Sequence, residues 1–123
     1  MSEYLGGCSC GAIRFSTSKT PLRVGVCHCL DCRKHHGATY YATAIYPVED
    51  VTVTGGAKAH RGRYFCSECG SSVFAITDDE IELHLGSFDE PNQFKPTYEC
   101  WTIRREDWLA SIVGAAQFER DRG

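Results

Sequence analysis

The sequence predicts a mainly β fold with little helix. Three observations support this prediction: short segments rich in β-branched and aromatic residues recur along the chain, turn signals separate them, and helical patterns are scarce. The 123 residues have a globular composition, with 42% hydrophobic and 24% charged residues. Because no repeat, low-complexity tract or linker interrupts them, we expect residues 1–123 to form a single domain.

The predicted strands are short, and turn signals bound several of them. They cover residues 12–16, 22–26, 39–46, 51–54, 64–65, 72–77, 81–85 and 99–104. The pair Gly6-Gly7 indicates a turn. The strands at 64–65 and 72–77 lead into and out of a C-x-x-C motif, which is the hairpin-like layout of a zinc knuckle.

Helix is predicted in two places. The clearer helix spans residues 30–36, with Asp31 near its start as the capping residue and Gly37 at its end. A second and weaker helical pattern covers residues 106–112. The fold class is therefore mainly β, with cysteine clusters where strands turn.

Eight cysteines are the unusual feature of the composition. Residues 1–7 lack the basic and apolar regions of a signal peptide, and no stretch approaches the roughly 18 apolar residues of a membrane-spanning helix. We therefore expect a cytoplasmic protein, in which thiols stay reduced and clustered cysteines bind metal. The formal net charge of −3 gives no reason to expect a nucleic-acid partner, and no membrane partner is expected either.

The spacing of the cysteines predicts a first, four-thiolate metal site. Two thiolates separated by one or two residues can chelate one zinc ion, and two such pairs complete a tetrahedral structural site. The pairs C-x-C and C-x-x-C would then combine as Cys8, Cys10, Cys66 and Cys69. Spacing alone leaves open the alternative that Cys66 and Cys69 join the central cluster instead.

The central cluster supplies three further thiols, Cys27, Cys29 and Cys32. Three protein ligands with a fourth position open to solvent or substrate is the pattern of a catalytic zinc. A closed structural site is the alternative, in which Cys100, His35 or His36 provides the fourth ligand. Spacing does not decide between the open and the closed site.

Read together, these motifs resemble one family. The motifs are Gly7-Cys8-x-Cys10-Gly11, Cys27-His28-Cys29-x-x-Cys32-Arg33-Lys34-x-x-Gly37-Ala38, Phe65-Cys66-x-x-Cys69-Gly70-Ser71, Gly86-Ser87-Phe88-Asp89-Glu90-Pro91 and Trp101-x-x-Arg104-Arg105-x-x-Trp108. They resemble the glutathione-dependent formaldehyde-activating enzyme (Gfa) family, which includes the centromere protein V relatives. The resemblance extends from Gly6 to about Glu119.

The resemblance implies several short, coiled antiparallel sheets organised around two zinc sites. It implies a structural zinc on Cys8, Cys10, Cys66 and Cys69, and a catalytic-type zinc on Cys27, Cys29 and Cys32, whose fourth position is left for solvent or a thiol substrate. Two zinc ions per chain are therefore expected, the second less fully occupied. The implied activity is that of a carbon–sulfur lyase or synthase, which joins a small thiol such as glutathione to a small aldehyde such as formaldehyde. The chain is shorter than the enzyme that gives the family its name, and Cys100 matches none of the family's ligands.

Several nearby residues have simpler expected roles. His28 should point away from the metal, and Arg33 and Lys34 should form a solvated helix face. Arg104 and Arg105 should lie on the surface. A core position is expected for Trp101, Trp108, Phe88 and Tyr98. Two other functional classes stay open: a non-catalytic, zinc-stabilised binding module with both metals structural, and a redox or metal-handling protein.

Overall fold

The computed structural model describes residues 3–122 and is mainly β, as predicted, with one α-helix in that range. The elements in chain order are β1 (Tyr4–Gly7), β2 (Arg14–Thr17), β3 (Arg23–Cys27), α1 (Leu30–His36), β4 (Tyr41–Pro47), β5 (Thr52–Thr54), β6 (Ala57–His60), β7 (Arg63–Cys66), β8 (Ser72–Thr77), β9 (Glu80–His84), β10 (Tyr98–Cys100) and β11 (Ala116–Gln117). Short 3-10 turns lie at Val48–Asp50, Leu85–Ser87 and Thr102–Arg104. Within residues 3–122, no helix has the length and apolar character needed to cross a bilayer.

The strands form a three-stranded sheet and an eight-stranded sheet. The small sheet has the order β1-β2-β5, and the large sheet has the order β11-β10-β3-β4-β9-β8-β7-β6. Most neighbours pair antiparallel, which matches the expected sheet type. Strand β10 departs from this antiparallel arrangement, because β10 lies parallel to both β3 and β11.

The hydrophobic core lies between the small sheet and one face of the large sheet. A row of register partners crosses five strands of that face: Tyr64, Phe74, Leu83, Ala44 and Val24. All of them belong to the core or pack against it, together with Ile13 and Phe15 from the small-sheet side. Aromatic contacts close the packing, since the rings of Phe15 and Phe88 meet edge to face at 5.1 Å.

The opposite face of the large sheet carries polar side chains. Its neighbouring row of register partners is Arg63, Ala75, Glu82, Ile45 and Arg23. Register partners share a face, so these side chains project together, away from the core. Helix α1 lies over this face, because the ring of His36 sits 5.6 Å from that of Tyr41 and 5.5 Å from that of His84.

Three sequence predictions about elements are wrong. Residues 106–112 form turns and no helix, and Trp108 is 71% exposed instead of buried. The strand expected at 99–104 ends at Cys100, because Trp101 adopts a left-handed backbone conformation (φ 55°) and a 3-10 turn follows. Asp31 does not cap α1; the Cys29 sulfur accepts the N–H of Cys32 instead.

Strands β1, β6 and β11 were not expected from the sequence. In β1, Gly6-Gly7 is part of a strand and not a turn. A Cβ on Gly6 would lie 2.3 Å from the carbonyl oxygen of Ser87 and 2.4 Å from the Phe15 ring. The glycine therefore allows two segments to approach closely, which a turn-based interpretation of the pair does not capture.

Candidate metal centre and active site

The first cysteine cluster joins the N-terminal region to the middle of the chain. Its four sulfur atoms, from Cys8, Cys10, Cys66 and Cys69, all lie within 4.8 Å of one another. The Sγ of Cys10 is 3.6 Å from that of Cys8 and 3.7 Å from that of Cys66. The structure thus brings together the four thiols that the spacing paired, and four sulfurs at this separation fit a tetrahedral zinc ion.

Backbone turns hold these sulfurs in place. After β1, the N–H of Gly11 donates to the carbonyl of Cys8, and Gly11 has a φ of +84°. After β7, the N–H of Gly70 donates to the carbonyl of Cys66 in the same way, and its φ is +78°. A side chain is strained at such φ values, so glycine is the residue that closes both turns.

Backbone N–H groups also point at the sulfurs of the first cluster. The N–H of Ile13 donates to Cys8 Sγ at 3.2 Å and lowers the pKa of that thiol. The Ser71 hydroxyl and backbone lower the pKa of Cys69 to about 5. These donors favour the thiolate form, which is the form that binds metal.

The second cysteine cluster lies where β3 meets α1. Cys27 is the last residue of the strand, Cys29 is the N-cap of the helix, and Cys32 lies in its first turn. Their three sulfur atoms are all within 4.8 Å of one another. Gly37 ends the helix in a left-handed conformation, as predicted.

The three thiols of the second cluster interact strongly with one another. Hydrogen bonds from Cys27 and Cys32 lower the pKa of Cys29 to about 2, while hydrogen bonding to the other two sulfurs raises the pKa of Cys27. Because cysteines bind zinc as thiolates and these three sulfurs converge, the second cluster also fits a zinc ion.

An arginine supplies positive charge to the second cluster. Nη2 of Arg63, on β7, donates to Cys32 Sγ at 3.8 Å. Sequence reasoning missed this residue, because only the register of the five strands β3, β4, β9, β8 and β7 places it on this face. Arg33 is engaged elsewhere, donating to Glu106 at 2.7 Å and to the carbonyl of Arg104 at 3.1 Å, whereas Lys34 is exposed as expected.

No fourth protein ligand joins the second cluster within residues 3–122. The group of ligand atoms within 4.8 Å of one another contains the three cysteines alone. Cys100 is the register partner of Cys27 but does not belong to that group. His35 instead directs its Nε2 to the Ser72 hydroxyl at 2.7 Å, and the ring of His36 lies against that of Tyr41 at a tilt of 31°.

His28, between two of these cysteines, is fully buried and turned to the C-terminal region. Its Nε2 lies 2.7 Å from Glu99 Oε1. The other oxygen of Glu99 accepts the N–H of Ile112 at 2.8 Å and the amide of Gln117 at 2.9 Å. Burial by itself raises the pKa of Glu99, but these hydrogen bonds lower it to about 2. The cysteine loop is thus tied to the segment that follows β10.

A cluster of three histidines lies between α1 and the large sheet. The ring of His35 is 5.4 Å from that of His84 and 6.4 Å from that of His36. Ser72 Oγ bridges His35 Nε2 and His84 Nδ1, at 2.7 and 3.2 Å. Burial lowers the pKa of His35 to about 4 and that of His84 to about 3, so both rings are neutral at pH 7. These rings line a groove of about 1240 Å³.

A separate cavity of about 310 Å³ lies beside the second cysteine cluster. Cys27, Tyr41, Glu82 and Cys100 are among the residues that line it. The Tyr41 hydroxyl donates to Glu82 Oε1 at 2.5 Å, and burial raises the pKa of this phenol. Gly25 makes room for another lining residue, since a Cβ there would lie 2.1 Å from the Tyr98 ring. The volume of this cavity suits a small molecule next to the sulfur of Cys27.

The fold and the two clusters define a small, mainly β protein with two sites that could hold metal ions. A sequence profile described as glutathione-dependent formaldehyde-activating enzyme matches residues 3–104, which is more than half of the chain. The chain therefore belongs to the glutathione-dependent formaldehyde-activating enzyme family, as the resemblance indicated.

The fold is similar to a crystal structure of a Rhodobacter sphaeroides protein from a structural genomics programme. The two chains superpose with a TM-score of 0.55 at 19% sequence identity. The match covers 72% of this chain and 91% of that one. At this identity the likeness concerns the fold alone.

Proposed function

We propose that this protein is a zinc-dependent carbon–sulfur lyase or synthase. It adds a small thiol such as glutathione to a small aldehyde such as formaldehyde, at a centre held by Cys27, Cys29 and Cys32. The observation that carries the proposal is the second cluster, whose three converging sulfurs lie beside a cavity of about 310 Å³. Three protein ligands and an adjoining cavity are what a metal that must also bind a substrate requires.

The two clusters take different roles in this proposal. Cys8, Cys10, Cys66 and Cys69 would hold a structural zinc, because four sulfurs complete a tetrahedral site. Cys27, Cys29 and Cys32 hold a second zinc, which has one protein ligand fewer and is therefore bound less firmly. The chain thus carries two zinc ions with unequal affinity. We assign the activity to the cytosol, where free thiol substrates stay reduced.

When bound, the second zinc supplies a deprotonated substrate thiol. The protein's own residues then prepare its attack on the aldehyde. The guanidinium of Arg63 balances the negative charge that accumulates on the sulfurs near Cys32. The cavity beside Cys27 holds the small aldehyde close to that thiolate. Attack of sulfur on the carbonyl carbon, with the thiol proton transferred to the carbonyl oxygen, gives a hemithioacetal, and the reverse reaction releases the aldehyde.

The test combines metal content with exchange kinetics for the wild type and two serine variants. We expect two zinc ions per chain, and NMR exchange spectroscopy should show the protein accelerating the exchange between glutathione and its formaldehyde adduct. Cys27→Ser should lose one zinc and this acceleration while the fold persists by circular dichroism. Cys100→Ser should keep both zinc ions. Loss of the second zinc in Cys100→Ser would contradict the open site.

A binding module with two structural metals is the second candidate. The exposed apolar side chains Trp108, at 71%, and Val113, at 87%, favour it, since such side chains often contact partners. In that case the wild type carries two zinc ions but leaves the thiol–aldehyde exchange at its uncatalysed rate. The same measurements therefore separate the two candidates.

A further inference from the structure

Tyr41 and Glu82 form a hydrogen-bonded pair in the cavity beside the second cysteine cluster. We infer that this pair carries the proton between the substrate sulfur and the aldehyde oxygen, with Tyr41 as the group that contacts that oxygen. The inference rests on the proposed function and names catalytic residues for it. The metal ligands hold no group that could perform this transfer.

The strand register places Tyr41 directly next to a cluster thiol. Tyr41 is the register partner of Cys27 in the antiparallel pair of β3 and β4. Register partners project from the same face with Cβ atoms about 4.5–5.5 Å apart. Glu82 reaches the same face from β9, where it pairs with Ile45. Three strands therefore present a thiol, a phenol and a carboxylate to one cavity.

The hydrogen bond within the pair has the geometry of a proton-transfer unit. The donor–acceptor distance is 2.5 Å, at the short end of the range for a hydroxyl that donates to a carboxylate. Tyr41 is 4% exposed, so water does not compete freely for its hydroxyl. The phenolic oxygen still has free acceptor capacity. A substrate hydroxyl can therefore donate to Tyr41 while Tyr41 donates to Glu82.

The histidines are less well placed for this role. His35, His36 and His84 line the larger groove and are not among the residues that line the cavity beside Cys27. His35 is bound to the Ser72 hydroxyl. The cavity beside Cys27 is lined mainly by residues of β3, β4, β9 and β10, and not by α1.

The proton and electron balance of the step is simple. In the synthesis direction Glu82 accepts the proton that leaves the substrate thiol, and the sulfur electron pair forms the bond to the carbonyl carbon. The π pair of the carbonyl moves onto oxygen. Tyr41 then gives its proton to that oxygen and regains one from Glu82. One proton has moved from sulfur to oxygen, both side chains return to their starting state, and no other reactant is consumed.

The kinetic test is Tyr41→Phe, which keeps the ring and removes the hydroxyl. With glutathione and ¹³C-formaldehyde, we expect turnover at saturating glutathione to fall about 100-fold, while KM for glutathione stays within about twofold. Glu82→Gln should act in the same direction. The matched control is Tyr40→Phe, at the neighbouring position whose side chain is 39% exposed, and it should keep the wild-type rate. Tyr41→Phe at the wild-type rate would overturn the inference.

A binding measurement gives a readout that does not depend on turnover. Calorimetry would compare S-(2-hydroxyethyl)glutathione with S-ethylglutathione, which differ by one hydroxyl. We expect the wild type to prefer the hydroxyl compound by about fivefold, the effect of one hydrogen bond, and Tyr41→Phe to lose this preference at unchanged zinc content. An unchanged preference in Tyr41→Phe would contradict the inference.

The proposed function and this inference fail in distinguishable ways. If the wild type does not accelerate the thiol–aldehyde exchange, the proposed function is wrong and the inference falls with it. If the wild type accelerates the exchange and Tyr41→Phe does so equally well, only the inference is wrong.

Discussion

The two cysteine clusters are built from the same side chain but in different surroundings. The first is held by two glycine-closed turns, has Cys10 and Cys69 exposed, and receives backbone N–H donors on its sulfurs. The second lies at the junction of a strand and a helix, has no exposed cysteine, receives the N–H of Cys32 on Cys29 Sγ, and faces an arginine and a cavity. The first thus offers four sulfurs held by turns, whereas the second offers three sulfurs beside an arginine and a cavity.

The difference shows what surroundings add to a metal-binding motif. Backbone donors stabilise a thiolate and fix its position, and a closed set of four sulfurs leaves no position for a substrate. Near the second cluster, Arg63 adds a positive charge and Tyr41 adds a hydroxyl group. The first cluster is therefore expected to govern stability, and the second is expected to govern activity.

The largest expected effect comes from removing a ligand of the first cluster. Cys66→Ser should lower the free energy of unfolding by roughly 5 kcal/mol or more, because a structural zinc contributes about 10–16 kcal/mol of apparent binding free energy. Cys66 is 1% exposed, so the introduced hydroxyl is also buried. Urea unfolding followed by circular dichroism checks this. Comparable stability of Cys66→Ser and Cys27→Ser would remove the distinction between the clusters.

The next effect concerns pH and the histidines under α1. Burial holds the pKa of His84 at about 3, below its ordinary value of 6.5. As the pH falls, the unfolded chain therefore takes up a proton on His84 before the folded chain does. The stability that neutral His84 allows is complete above about pH 6.5 and is lost as the pH falls towards 3. At pH 5 the loss is about 2 kcal/mol.

This pH effect is measured by denaturant unfolding at pH 7.5 and pH 5. The stability lost between these values should be smaller by about 2 kcal/mol in His84→Gln than in the wild type. His60→Gln, at an exposed position on β6, serves as the control and should lose as much as the wild type. An equal loss in His84→Gln would mean that His84 does not stay neutral in the folded protein.

A smaller effect is expected from the arginine at the second cluster. Arg63→Gln should weaken zinc binding there about tenfold, the lower end of the effect of groups that contact metal ligands, and leave the first cluster unchanged. Chelator competition monitored by the release of each zinc checks this. Arg61→Gln, on an exposed neighbour, is the matched control. Equal weakening at both clusters would indicate a general loss of stability instead.

The smallest effect is expected from the arginine near the first cluster. Arg14 pairs with Asp89 through two hydrogen bonds, but the two side chains are 42% and 46% exposed. Exposed pairs contribute about 0.2–1 kcal/mol, so Arg14→Gln should change zinc affinity at the first cluster less than twofold. The same competition assay measures it. A tenfold loss would show that the first cluster depends on side-chain charge as well.

Local patterns predicted a large part of the fold. The strand Ser72–Thr77 and the helix Leu30–His36 agree with the sequence prediction to the residue, because β-branched content and a glycine stop are local signals. The helix predicted at 106–112 is absent because a non-local contact decides the conformation of this segment. The Glu99 carboxylate accepts the N–H of Ile112. Such a contact has no signature within a short window of sequence.

The candidate site divides in the same way. Spacing identified the close neighbours that share a turn, but it left open which cluster Cys66 and Cys69 join, and the structure places them with Cys8 and Cys10. Arg63, Tyr41, Glu82 and His84 were missed because each occupies an ordinary strand position. Only the register of β3, β4, β9, β8 and β7 places them on one face, and register is set by tertiary packing. A search for polar residues at alternating positions of adjacent predicted strands could have found Glu82 and His84.

The parallel pairing of β10 with β3 also bears on the order of folding. The first cluster joins Cys10 to Cys66, 56 residues apart, and does not depend on β10. The contact between His28 and Glu99 spans 71 residues and needs β10 in place. Contacts so distant form late because loop closure precedes them. The sulfurs of the first cluster are therefore expected to come together before the loop that carries the second cluster is tied to β10.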